Sequence, residues 1–83
     1  MTTYFFQISP NAFLEAGPIS DHPTKTHGLR LVSIDHHKER FVHFQSVDLS
    51  ELKTIVNILH LRYIPTFKHF DQVRGYWRSM GLY

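Results

Sequence analysis

No cysteine occurs anywhere in the sequence, so a chain of 83 residues must be held together by the burial of apolar side chains alone. The same absence excludes disulfide staples, thiolate-ligated zinc, iron–sulfur clusters and cysteine nucleophiles. A chain this short removes only about 60 to 65% of its unfolded surface from water. Of its residues 42% are apolar, and most of them are committed to one core. That fits a single domain over residues 1–83 and leaves little for an enclosed pocket. The longest apolar run falls well short of the roughly 18 to 20 residues that cross a bilayer, and the opening residues lack a basic leader. The sequence reads as a cytoplasmic protein with no membrane contact.

The local signals set an order of elements. Tyr4–Ser9 is aromatic and alternating, with Tyr4, Phe6 and Ile8 on one side, and predicts a first strand. Ser9, Pro10, Gly17 and Pro18 sit where a helix would carry its cap, first residue, left-handed stop and terminator, so Pro10–Ala16 reads as a short helix. Ile19–Gly28 lacks any period and reads as a loop. Leu29–Ile34 and Arg40–Val47 are β-rich runs joined by the polar connection Asp35–Glu39, which predicts an antiparallel hairpin. Asp48 and Glu51 form a capping-box variant that starts a helix near Leu49, and Leu52, Ile55, Val56 and Leu59 follow helical spacing. Pro65 ends that helix, Thr66 is placed to cap a second one, and Gly81 is placed to stop it so that Leu82 folds back onto Trp77. The expected fold class is α+β: a small antiparallel sheet of about three strands, packed on one face by two C-terminal helices, with a short helix after the first strand.

Charge is unevenly placed. Residues 1–50 carry four Lys/Arg against five Asp/Glu, and residues 51–83 carry five against two. The overall charge of +2 is weaker than the dense basic footprint of a nonspecific duplex binder. Seven histidines would raise +2 to +9 if all were protonated, which makes acid the condition most able to change the protein's behaviour, between about pH 5 and 7.

His36 and His37 beside Asp35, with His43 on the following strand, are candidates for pH-sensitive or ligand-contacting residues. They lack the spacing of a helical or zincin metal site, and adjacent strand residues point apart, so no metal is expected. His37, His43, Lys38 and Arg40 offer acid–base residue types without a geometry that the sequence specifies. No nucleophile elbow or phosphate-cradling glycine loop is present. The sequence therefore predicts a non-enzymatic chain that needs no cofactor.

Lys68, Arg74 and Arg78 interleave with Tyr76 and Trp77 on the last helical segment. Arg and aromatic residues are the types that dominate interface hot spots, and Tyr76 falls off the main apolar stripe. Lys68, Arg74, Tyr76 and Arg78 are thus the expected partner-binding set. The reading is a small protein–protein interaction module, an adaptor, inhibitor or regulator of a larger partner, with a homodimer as a variant. The alternative is a nucleic-acid-binding domain using the same basic helix. The two differ in salt dependence: phosphate contacts weaken steeply between about 50 and 200 mM salt, whereas an aromatic-anchored protein interface loses much less.

Overall fold

The computed structural model describes residues 2–19, 27–44 and 47–83. Its elements are β1 (Tyr4–Ser9), β2 (Ala12–Pro18), β3 (His27–Asp35), β4 (Lys38–His43), α1 (Leu49–Leu61), β5 (Thr66–Phe67) and α2 (Phe70–Ser79). The strands form one antiparallel sheet in the order β4-β3-β2-β1-β5. The α+β class is as the sequence predicts. The sheet has five strands rather than three, and the segment expected as a short helix after the first strand is β2.

That correction has a local cause. Ser9, Pro10 and Asn11 carry turn chemistry as well as helix-start chemistry: proline presets the first central position of a tight turn, and here Ser9 pairs with Ala12 across it. Asn11 then ties the turn to β3, its backbone carbonyl accepting from the Ile34 amide at 2.9 Å and its side chain donating to the Ile34 carbonyl at 3.2 Å. Gly17 has a φ of +133°, but it sits within a strand. A Cβ there would lie 2.8 Å from the Thr3 Cα, so glycine is needed for close backbone approach rather than to stop a helix.

β1 decides the layering. Phe5 and Phe6 are neighbours in a strand and point to opposite faces, yet both are buried. Phe5 joins Phe13, Val32 and Ile34 beneath Val73 and Trp77 of α2. Phe6 joins Ala16 beneath Leu52 and Val56 of α1, with Tyr4, Leu14 and Leu29 packed around them. The helices therefore lie on opposite faces, not on one as expected. The chain changes face by running along the sheet edge: Thr66 and Phe67 pair with Phe6 and Phe5 as β5, and the Pro65 carbonyl accepts from the Gln7 amide at 2.8 Å. Thr66, expected to cap α2, is a strand residue; the cap is His69, with Gln72 reaching back to its amide at 3.2 Å.

Other end signals act as the sequence predicts. Asp48 caps α1 by accepting from the Glu51 amide at 2.8 Å. Gly81, at φ +71°, closes α2 in a Schellman motif in which the Leu82 amide reaches the Trp77 carbonyl. Of the predicted loop Ile19–Gly28, residues 20–26 lie outside the described part; Ile19 is buried and His27 already belongs to β3. The hairpin connection is tighter than expected. Only His36 and His37 lie between β3 and β4, at φ +49° and +66°. Two consecutive left-handed residues define a type I′ turn, whose preferred sequence is Asn-Gly. Replacing both, His36→Asn with His37→Gly, should relieve this strain and stabilise the fold by about 1 kcal/mol, raising the thermal midpoint by roughly 4 to 8 °C. An unchanged or lower midpoint by circular dichroism would contradict the strain.

Candidate functional site

α2 is too short to cover its whole face of the sheet. Val73 and Trp77 seal the half formed by Phe13, Val32 and Ile34, while the row Phe5, Glu15, Arg30 continues beyond the first turn of the helix. Beside this row lies a cleft of about 360 Å³. Its floor is Phe5, Glu15, Arg30 and Phe41, and its wall is Phe70 and Arg74 of α2 with Lys68 and His69, so that Lys68, expected on the last helix, lies in the turn before it.

Two ion pairs set the electrostatics. On the floor Arg30 Nε donates to Glu15 Oε1 at 2.6 Å, with side chains 8% and 5% exposed. The pairing follows from register, since Glu15 and Arg30 are directly opposed on β2 and β3. On the wall Arg74 donates from Nε and Nη2 to the two carboxylate oxygens of Glu39 at 2.7 and 2.8 Å, a bidentate fork that locks α2 onto β4. The Tyr83 hydroxyl also donates to Glu39. The Arg74 guanidinium holds the Glu39 carboxyl below its usual range against an opposing push from burial, with Tyr83 adding to the lowering. Burial and then the Glu39 hydrogen bond raise the Tyr83 phenol, and Glu39 raises the Arg74 guanidinium. Both guanidinium groups also sit over rings, Arg30 4.7 Å from Phe41 and Arg74 4.4 Å from Phe70, and those rings meet at 5.9 Å.

The expected partner-binding residues are dispersed among different roles. Lys68 is exposed on the cleft wall with no ion-pair partner among the described residues. Arg74 is half-buried and engaged by Glu39. Arg78 is exposed, its guanidinium 5.3 Å from the Tyr83 ring. Tyr76 is not an exposed anchor: it is half-buried against the Phe13 and Phe67 rings, and its oxygen accepts from Gln7 Nε2 at 3.0 Å. The aromatic stripe of α2 is wider than the spacing suggested, because Phe13 and Phe67 beneath the helix give Tyr76 ring partners. His36 and His37 occupy the turn and His43 the far end of β4, so the three are not brought together. Among the described residues no group of three or more potential ligands is placed to hold a metal.

A second surface, outside the expected partner-binding set, lies at the end of α1, where the sequence shows an apolar edge of Ile58, Leu61 and Ile64 that suits contacts on two sides. Leu61 is 77% exposed, Tyr63 92% and Ile58 47%. Tyr63 has a φ of +56°. Its amide reaches the His60 carbonyl and the Ile64 amide the Leu59 carbonyl, so α1 ends in the same motif as α2 with tyrosine where α2 has glycine. The signal was present in the wide apolar face of residues 52–64, but periodicity does not tell an outward leucine from an inward one.

Comparison with protein-family models, with curated proteins and with solved structures yields no match to this chain. No described helix is long and apolar enough to cross a membrane.

The Glu39 pair makes a pH-dependent contribution whose sign follows from its lowered pKa. The contribution is complete above the usual carboxylate range and is lost as pH falls through the lower folded value. Glu39→Gln should lower stability by about 1 kcal/mol near neutral pH, discounted because the Arg74 side chain is partly exposed. The difference from the wild type should narrow as pH falls below the usual carboxylate range, as read from urea midpoints. A gap that stays constant with pH would show that the pair contributes nothing as charges.

Proposed function

We propose that the chain is a small, non-enzymatic protein–protein interaction module that docks through the outer, C-terminal side of α1. The observation that carries this reading is Tyr63. A left-handed backbone is costly for a residue with a Cβ and nearly free for glycine, and the strained side chain here packs on almost nothing, being 92% exposed. Strain kept at an exposed aromatic, beside outward Leu61 and Ile58 and exposed Arg62, is the pattern of an anchor whose binding partner offsets the cost. The partner it fits is a protein with an apolar recess and an acidic rim for Arg62. The basic residues expected to serve nucleic acid offer weaker support for that alternative, since Arg74 is already neutralised by Glu39.

The reading predicts opposite effects of one substitution. Tyr63→Gly should stabilise the isolated domain by about 1 kcal/mol and abolish capture of the partner from native lysate at both about 0.15 and 0.5 M salt. Equal recovery by wild type and variant would refute the surface. Recovery of nucleic acid that disappears at the higher salt would favour the alternative.

A further inference from the structure

We infer that the chain forms a twofold dimer through the outer edge of β4, which pairs antiparallel with the same strand of a second copy, centred on Phe41, and joins the two sheets into one. This edge lies at the far end of the sheet from β5. Tyr63 stands two residues before Pro65, which meets β1 at the other edge, so the dimer leaves the docking surface at the end of α1 uncovered.

Three features carry the inference. The first is the contrast between the two edges of the sheet. β1 is covered by Thr66, Phe67 and the Pro65 carbonyl. β4 runs for six residues in unbroken register with β3, without a proline or a bulge to deter a further strand. The second is hydrogen-bond direction. The Phe44 amide donates to the Leu29 carbonyl at 3.1 Å, and the direction alternates along an antiparallel strand. The backbone groups of Lys38, Arg40 and Val42 therefore turn to β3, and those of Glu39 and Phe41 turn outward. Among the described residues these outward N–H and C=O groups have no partner.

The third feature, charge, selects a second copy as the occupant. Lys38, Glu39 and Arg40 fill the half of the strand beside the turn, and Phe41, Val42 and Phe44, all exposed, fill the other half. Antiparallel self-pairing lays the charged half of each copy along the apolar half of the other. Opposed residues in such a pair share a face, so the twofold axis must pass through a residue. An axis at Arg40 would oppose two guanidinium groups, which is unfavourable. An axis at Val42 would leave Lys38 and Glu39 past Phe44, the last described residue bonded to β3. An axis at Phe41 opposes the two Phe41 rings, sets Arg40 against Val42 and Lys38 against Phe44, and opposes no like charges. The long stems of Arg40 and Lys38 then lie on apolar side chains while their charges stay in water. The two Phe41 residues exchange both of their outward backbone hydrogen bonds.

Sedimentation equilibrium of the whole chain tests for the dimer, and crosslinking tests its register. The mass should rise from monomer to dimer with a midpoint near about 100 μM, as suits an interface smaller than the standard size. Because the chain has no cysteine, introduced thiols report cleanly. Arg40→Cys mixed with Val42→Cys should form a disulfide-linked dimer on mild oxidation, since a pair outside the hydrogen-bonded positions brings its Cα atoms to about 4.5 Å, within disulfide reach. Neither variant should crosslink with itself. Val42→Lys should weaken association by about tenfold, because the symmetry creates two like-charge contacts with Arg40. Adding Arg40→Glu to it should recover the dimer. Tyr63→Gly should leave the dimer unchanged. A strict monomer at about 500 μM overturns the inference. So does self-crosslinking of either cysteine variant in place of the mixture, indifference to Val42→Lys, or loss of the dimer in Tyr63→Gly. The wild-type mass decides whether a dimer exists even where a variant loses its fold.

Discussion

The burial of Phe5 and Phe6 on opposite faces of β1 is the constraint on which the rest of the structure depends. Each removes a full phenyl group from water, about 1.5 to 3 kcal/mol of transfer free energy, and together they rival the lower end of the roughly 5 to 15 kcal/mol that stabilises a whole small domain. Neither can be left exposed, so both faces of the sheet must be covered. With one helix per face, each layer is thin. α1 shields the Phe6 side with Leu52 and Val56, and α2 shields the Phe5 side with Val73 and Trp77. A single β1 strand thus serves as the shared floor of two small cores.

Thin layers leave surface behind, and both candidate sites arise from that shortage. α2 has ten residues and covers half of its face; the other half is closed by ion pairs and stacked guanidinium groups instead of aliphatic packing. A buried ion pair such as Glu15–Arg30 costs desolvation that its Coulomb attraction does not always repay. Trp77 carries a related cost: its indole nitrogen is buried without a hydrogen-bond partner among the described residues, which opposes folding by about 1 to 3 kcal/mol. Ring contacts with Phe13, Phe70 and Tyr83 offset that cost.

The two helix ends show how the same motif is used in two ways. Gly81 closes α2 with a residue that tolerates left-handed geometry, and Leu82 turns inward to seal the core beside Trp77. Tyr63 closes α1 at the same motif position with a residue that does not, and its ring is left in solvent. The backbone solution is identical; the difference lies in what the side chain is free to meet.

Signals that act within about four residues were legible in the sequence. The Asp48 cap, the Gly81 stop, the break at Pro65 and the pairing of the two runs around His36 and His37 depend on neighbouring dihedrals and nearby donors, which the order of residues specifies directly. Tertiary structure decided everything that couples distant positions. Pro10–Ala16 carries both helix and turn chemistry, and only the availability of β1 and β3 as neighbours made the following residues a strand. The choice of opposite faces was hidden because a period of two says that Phe5 and Phe6 diverge but not that both directions are covered. Glu39 and Arg74 stand 35 residues apart and Glu15 and Arg30 stand 15 apart. No local rule brings such pairs together, because their approach is a consequence of strand register and of the edge crossing at β5, which exist only once the chain has folded.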